Sequence, residues 1–398
     1  MFGYGFLSVV LALYLAAAGM DGLHIGLVLT LTLAGDAVIS LWLTTHADRV
    51  GRRPVLLAGA VLMVLAGIVF ALSSDFWVLV AAATLGVISP SGNEVGPFLA
   101  VEQAALAQTL PERQRTRVFG WYNLAGSLAT AAGALAGGVI AQALQLAGVD
   151  ALDSYRVVLV AYAVVGVAMA GAFWFLSPAI EAPVRQDVSI ARRLGLHRSR
   201  GIVARLSMLF ALDAFSGALV MQSLIAYWLH VRFGIDPGAL GGIFFVANVL
   251  AGISALAAAR LAARFGLLNT MVLTHLPSNV LLMLVPLMPT LALAAGVLLV
   301  RYSISQMDVP TRQSYTMAVV DPDERSAAAG VTGVARSIGS AVSPSISSPL
   351  LAIPALGWLP FVAAGGLKIV YDVLLYRGFR GLRPPEESGD GPAQVRSP

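Results

Sequence analysis

Eight charged side chains stand inside long apolar stretches of this chain, and any chemistry it performs has to be sought among them: Asp36, Glu94, Asp213, Arg301, Asp308, Arg336, Lys368 and Asp372. A charge placed in hydrocarbon costs about 2.5–3.5 kcal/mol on insertion scales, so each of these needs a partner, water or a task. A carboxyl reached by water can pass a proton, and a guanidinium or ammonium can hold an anion. Glu94 has no Lys or Arg within its own apolar run and has Ser91 and Asn93 beside it to keep the site wet. It is therefore the predicted proton carrier, with Asp36 as the alternative. Asp308 follows Arg301 by seven residues, about two helical turns. Asp308, Arg301 and Asp213 are the remaining candidates for gate or substrate-contact charges. Lys368 and Asp372 are four apart, where helical neighbours neutralise each other, and read as a structural pair. No His-Glu-x-x-His, Gly-x-Ser-x-Gly or phosphate-loop pattern occurs, so the chain reads as neither an enzyme nor an ATPase. Nothing asks for a cofactor or metal, and zero cysteines exclude disulfides and thiolate-ligated metal.

The elements that position these charges are membrane helices. Of 398 residues, 58% are hydrophobic and 12% charged, against about a quarter charged in soluble proteins. Apolar runs fall at 2–18, 24–43, 54–73, 76–98, 118–143, 155–177, 204–229, 238–259, 270–288, 290–311, 326–351 and 358–376, twelve in all. Each is near the roughly 20 residues that a crossing needs. With the N-terminus inside, twenty Lys and Arg residues, Arg312 among them, fall on one side and only Arg156 and Arg232 on the other. This predicts a multi-pass protein of the plasma (inner) membrane with both termini cytoplasmic. The same count explains the net charge of +4 by topology, with no role for nucleic acid. No basic residue precedes the first run, so a cleaved leader is not expected and the natural start is expected upstream of Met1. The tail from 381 is too polar to pack and is expected to be disordered.

An internal repeat orders the spans. "ADRVGRR" after the second run is echoed by "AARFGLL" after the eighth, so that Gly51 matches Gly266 at a shift of 215 residues. Glu94 before Pro97 is matched by Asp308 before Pro310. Two related six-span halves follow, at 1–177 and 204–380, joined by a basic linker at 178–203. With the loop Asp48, Arg49, Gly51, Arg52 and Arg53 between spans two and three, the chain resembles the major facilitator superfamily along essentially its whole length. Thr44 stands where that loop pattern begins with Gly, and "GALAGG" at Gly133–Gly138 approximates the fifth-span pattern of its antiporters. The resemblance implies an all-α fold of twelve transmembrane helices in two pseudo-symmetric halves. It also implies that spans one, four, seven and ten line a central cavity, that spans two, five, eight and eleven form the interface, and that the rest are peripheral. The function expected is secondary transport of a small organic solute by alternating access, acting as a monomer in the bilayer on a proton or ion gradient, with proton-coupled efflux preferred. A symporter for nutrient uptake and a non-transporting receptor on the same fold are the alternatives. Two further expectations rest on the resemblance. Asp36 and Arg336 pair across the interface when the cytoplasmic side closes. Asp48 latches onto the start of span eleven, where Asp321 caps the helix and Pro322 is its first residue.

Overall fold

The computed structural model describes residues 1–92, 96–109, 112–177, 180–181, 196–321 and 324–381; within these, several side chains, those of Asp48 and Arg49 among them, lie outside the description. The described residues form helices and no strand. In chain order these are α1 (Phe2–Ala17), α2 (Gly22–Val50), α3 (Arg52–Leu72), α4 (Phe76–Leu85), α5 (Gly96–Thr109), α6 (Glu112–Leu146) and α7 (Ala151–Trp174). The second half has α8 (Arg200–Ala218), α9 (Gln222–Phe233), α10 (Pro237–Phe265), α11 (Leu267–Leu284), α12 (Leu291–Ser305), α13 (Asp308–Ala318), α14 (Arg325–Ala352) and α15 (Leu359–Phe379). Among the described residues, eight spans are individually long and apolar enough to cross a membrane, the α8–α9 stretch counting as one. The other crossings are the apolar α1, the serine-rich α14, and the pairs α4–α5 and α12–α13.

Local chemistry sets the ends. The Asp21 and Asp75 carboxylates accept hydrogen bonds from His24 N and Val78 N at 2.9 and 3.0 Å, satisfying the first turns of α2 and α4. Gly51 joins α2 to α3 with no intervening loop at φ 107°, and Gly266 joins α10 to α11 at φ 84°. Both conformations are strained for any residue with a Cβ. The repeat read from the sequence is thus a repeat of backbone shape.

Spans four, seven and ten do not run through as single helices. Regular helix is interrupted over 86–92, at 219–221 and at 306–307. Freed backbone groups inside a membrane must find partners within the protein. Here Tyr162 Oη donates to the Val87 carbonyl, Thr130 Oγ1 donates to the Gly92 carbonyl at 3.2 Å, and Ser223 N donates to the Pro90 carbonyl at 3.3 Å. The last of these ties the break in span seven to the break in span four across the two halves.

The halves meet along α2 against α14 and α6 against α10. These four are the longest helices, at 29, 28, 35 and 29 residues respectively. Their approach is close: a Cβ on Gly138 of α6 would overlap the Pro237 carbonyl, and one on Gly241 of α10 would stand 2.8 Å from the Ala134 carbonyl. The small-residue stretch "GALAGG" packs α1 on one side, through Gly133 and Gly137, and α10 on the other. Contact is tight toward the face opposite the arginine-rich one, where Gly22 meets Pro349 and Ala352. Toward the arginine-rich face, among the described residues, α5 lies on α2 and α3, and α13 on α10, α11 and α14, each within its own half.

Three expectations are adjusted. The run 204–229 is two helices, and α8 already begins at Arg200, inside the stretch expected as linker. Span eleven begins at Arg325 after Glu324, where a cap at Asp321 was expected; Pro322 lies outside the described residues. The polar tail, 382–398, also lies outside them.

Candidate functional site

A cavity of about 310 Å³ opens where the three broken spans meet. Its wall takes Ser91 from the span-four break, Val220, Met221 and Gln222 from the span-seven break, and Ser305 and Gln306 from the span-ten break. Gln222 also stitches the halves, donating from Nε2 to Ser8 Oγ of α1 at 2.7 Å while its carbonyl accepts from Asn248 Nδ2 at 3.2 Å.

Asp213 of α8, buried at 4% exposure, is the hub of the charged wall. Its carboxylate accepts from Lys368 Nζ at 2.6 Å, Arg312 Nη1 at 2.8 Å and Arg336 Nη1 at 3.3 Å. Arg312 Nη1 also donates to Asp308 Oδ2 at 3.0 Å, one turn away on α13. One network therefore joins spans seven, ten, eleven and twelve, and it matches buried charge with buried charge as a low-dielectric interior demands. Lys368 reaches the hub past Gly217 of α8, where even a Cβ would stand 3.6 Å from its Cε and Nζ. Behind the wall, the Asp372 carboxylate is held by His275 Nδ1 and Asn279 Nδ2, both at 2.9 Å. Arg301 stands apart. Its guanidinium lies 5.3 Å from the Tyr302 ring, its Nε has no hydrogen-bond partner, and it makes no ion pair among the described residues.

Asp213, Asp308 and Arg301, singled out from sequence, do line one cavity. The helical pair Lys368 and Asp372 does not form: Lys368 crosses to Asp213 and Asp372 takes His275 and Asn279, because span twelve packs against both span seven and span nine. Span twelve is thus not merely peripheral. Arg312, assigned to the solvent side, is 7% exposed and belongs to the network. Arg336 meets Asp213 of its own half, while Asp36 of α2 lies within electrostatic reach of Tyr4 and Tyr162 in the other. Glu94 falls outside the described residues, as do the side chains of Asp48 and Arg49. Sequence reasoning missed the roles of Arg312, His275 and Lys368; the one available signal was that so many charges and amides cluster in the second half.

The remaining motif residues are structural. Glu181 accepts from the Arg52 and Arg53 backbone N–H groups at 2.6 and 3.1 Å, and Arg52 Nη1 donates to the Ile180 carbonyl at 2.9 Å. A carboxylate at the positive end of α3 thus anchors the chain that leaves span six. Glu324 does the same for span seven, accepting from His197 N, Arg198 N and Ser199 N at 2.6–2.9 Å. Burial alone would push its carboxyl up, but these three N–H donors outweigh it and hold the group at about 2. The aromatics of spans one and seven are packing groups: Tyr14 Oη donates to the Phe70 and Ser73 carbonyls, and Trp228 packs on Phe361.

Comparisons with known proteins agree with this architecture. The profile of the family described as Major Facilitator Superfamily matches residues 1–344. The chain is 29% identical over 412 residues to "Uncharacterized membrane protein YJR124C" of Saccharomyces cerevisiae, covering 96% of this chain and 92% of that one. It is 33% identical to the class B tetracycline resistance protein of Escherichia coli over 115 residues, covering 29% and 27% of the two chains. Among solved structures, a D-xylose–proton symporter superposes with a TM-score of 0.72 at 13% identity, covering 94% of each chain.

Proposed function

The chain belongs to the Major Facilitator Superfamily, and from that premise we propose that it is a proton-coupled secondary transporter that exports a small organic solute by alternating access. The carrying observation is the charged cavity at the three helix breaks, between halves packed together toward one face, while toward the other α5 and α13 each pack within their own half among the described residues. Broken spans at mid-depth are how transporters present polar groups to a solute inside a bilayer. With the arginine-rich face cytoplasmic by the charge rule, this arrangement faces the cytoplasm. The family and its structural relatives are transporters rather than enzymes. Export is favoured over uptake by the stretch shared with the tetracycline resistance protein.

In the opposite, outward-facing state, Arg336 exchanges its contact with Asp213 for Asp36 across the α2–α14 interface. Its half-exposed guanidinium, on a helix already packed against α2, supports that exchange. Glu94 carries the coupling proton, with Asp36 the next carboxyl to examine. The test uses everted membrane vesicles holding an acid interior. Tetracycline and quinolone probes, and any compound to which cells gain resistance when the gene is expressed, should release protons only when the protein is present. Glu94→Gln should keep solute exchange and lose gradient-driven accumulation. Proton and solute moving in the same direction would instead establish the symporter, and solute binding without exchange would establish a receptor.

A further inference from the structure

Among the described residues, the cavity wall carries more positive than negative side chains. Four cations line it, Arg301, Arg312, Arg336 and Lys368, against two carboxylates, Asp213 and Asp308. Three of those cations already share the two carboxylates. The nearby Asp372 is turned to His275 and Asn279 and is itself fully buried. Arg301 is left as the cation with no carboxylate in contact among the described residues: Tyr302 is its neighbour, and Asp308 acts on it only through space.

A second observation falls at the same place. Ser305 stands four residues after Arg301 on α12, so the two side chains share a helix face, one above the other. Both line the cavity. Ser305 is 6% exposed, and its Oγ, like Arg301 Nε, has no hydrogen-bond partner. Buried donors are ordinarily satisfied, and those that are not call for a missing acceptor. A guanidinium with an adjacent hydroxyl is a donor pair for an oxyanion, since a planar fork suits a carboxylate or phosphate and the hydroxyl adds a further bond. The volume of about 310 Å³ lies at the small end of ligand cavities.

We propose that the solute is a small organic anion, held in this cavity through its carboxylate, phosphate or sulfonate group by Arg301 and Ser305. The assignment rests on the transport reading for its biological sense, but the binding chemistry stands by itself. Charge decides between solutes of one shape: a neutral analogue leaves the guanidinium unbalanced, and a cation adds to the excess.

The experiment holds shape constant and varies charge. Purified full-length protein in detergent is titrated with 1-naphthoate, 1-naphthyl phosphate and 1-naphthalenesulfonate, with the neutral 1-naphthamide, and with the cationic 1-naphthylmethylamine, following thermal stabilisation. At least one anion should bind at least 10-fold more tightly than the amide. Arg301→Gln should erase that preference by weakening the anions far more than the amide, Arg301→Lys should restore part of it, and Ser305→Ala should weaken the anion a few-fold. Unliganded Arg301→Gln should melt no lower than the wild type, because no carboxylate is left behind; a residue with a merely structural role would lower the midpoint. Should that variant not fold, Arg301→Lys and Ser305→Ala carry the test. The proposal is overturned if no anion binds, if amide or amine matches the anions, or if the substitutions leave the anion preference intact. Reconstituted vesicles separate the two readings. Exchange of neutral or cationic probes alone sinks the anion and keeps transport, whereas anion binding without exchange sinks transport and keeps the anion site.

Discussion

Asp213 holds three cations on one carboxylate, so the consequences of removing it differ from those of removing any single partner. Asp213→Asn strands Lys368, Arg312 and Arg336 around a neutral amide and should cost about 3–5 kcal/mol of stability. Lys368→Met leaves two arginines on the carboxylate and should cost less, and the double variant should recover part of the loss. Thermal unfolding in detergent measures all three; equal losses from the two single variants would remove Asp213 from the hub. Glu324 gives a pH-dependent counterpart outside the membrane. Its folded-state value of about 2 lies below the ordinary 4.5, so its stabilisation is fully present above 4.5 and is lost as pH falls through 2. The melting midpoints of wild type and Glu324→Gln should therefore differ at pH 7 and converge between about pH 4.5 and 2; a gap of constant size across that window would contradict the cap. At this scale the sequence was only half legible. It exposed which charges lie in apolar runs but not their partners, because Asp213 and Lys368 are 155 residues apart and meet through helix packing. The local i,i+4 rule proposed Asp372 instead.

Helices were far more legible than their contacts. Continuous apolar stretches are forced to be helical in a bilayer, so all twelve crossings and the repeat could be read. The breaks could not. The segment Ala218–Met221 is apolar with no Pro or Gly after Gly217, and its interruption depends on tertiary bonds such as Ser223 N to Pro90 O. Gly138 shows the same dependence in a testable form. A Gly→Ala change inside a helix ordinarily stabilises by about 0.5–1 kcal/mol. Gly138→Ala should do the reverse, because the new Cβ overlaps the Pro237 carbonyl and pries α6 from α10. We expect a lower melting midpoint and transport reduced more than 10-fold; a variant as stable as wild type would show that this contact is looser than described.

For the whole molecule, the closed and open faces give a prediction that the cysteine-free sequence makes easy to test. Gly22→Cys with Ala352→Cys places two Cβ atoms about 3.0 Å apart across the α2–α14 interface; the new Cβ at 22 also meets the Pro349 and Ser348 backbone at 2.8 and 2.9 Å, so the two helices must separate slightly to reach bridging distance, and the reduced double variant is the control for that shift. Oxidation should lock that face and stop transport. A Gln306→Cys probe in the cavity should still react with an impermeant maleimide added from the arginine-rich face. Faster labelling from the other face would reverse the assignment of the closed side. The four interface helices carry a different consequence. At 1.5 Å per residue, 28 to 35 residues extend about 42–52 Å, well beyond a hydrocarbon core of about 30 Å. The helices along which the halves rock are also the ones that must tilt or protrude to fit the lipid. Acyl-chain length should therefore tune the turnover rate, with thicker and thinner bilayers favouring different faces through the mismatch they impose.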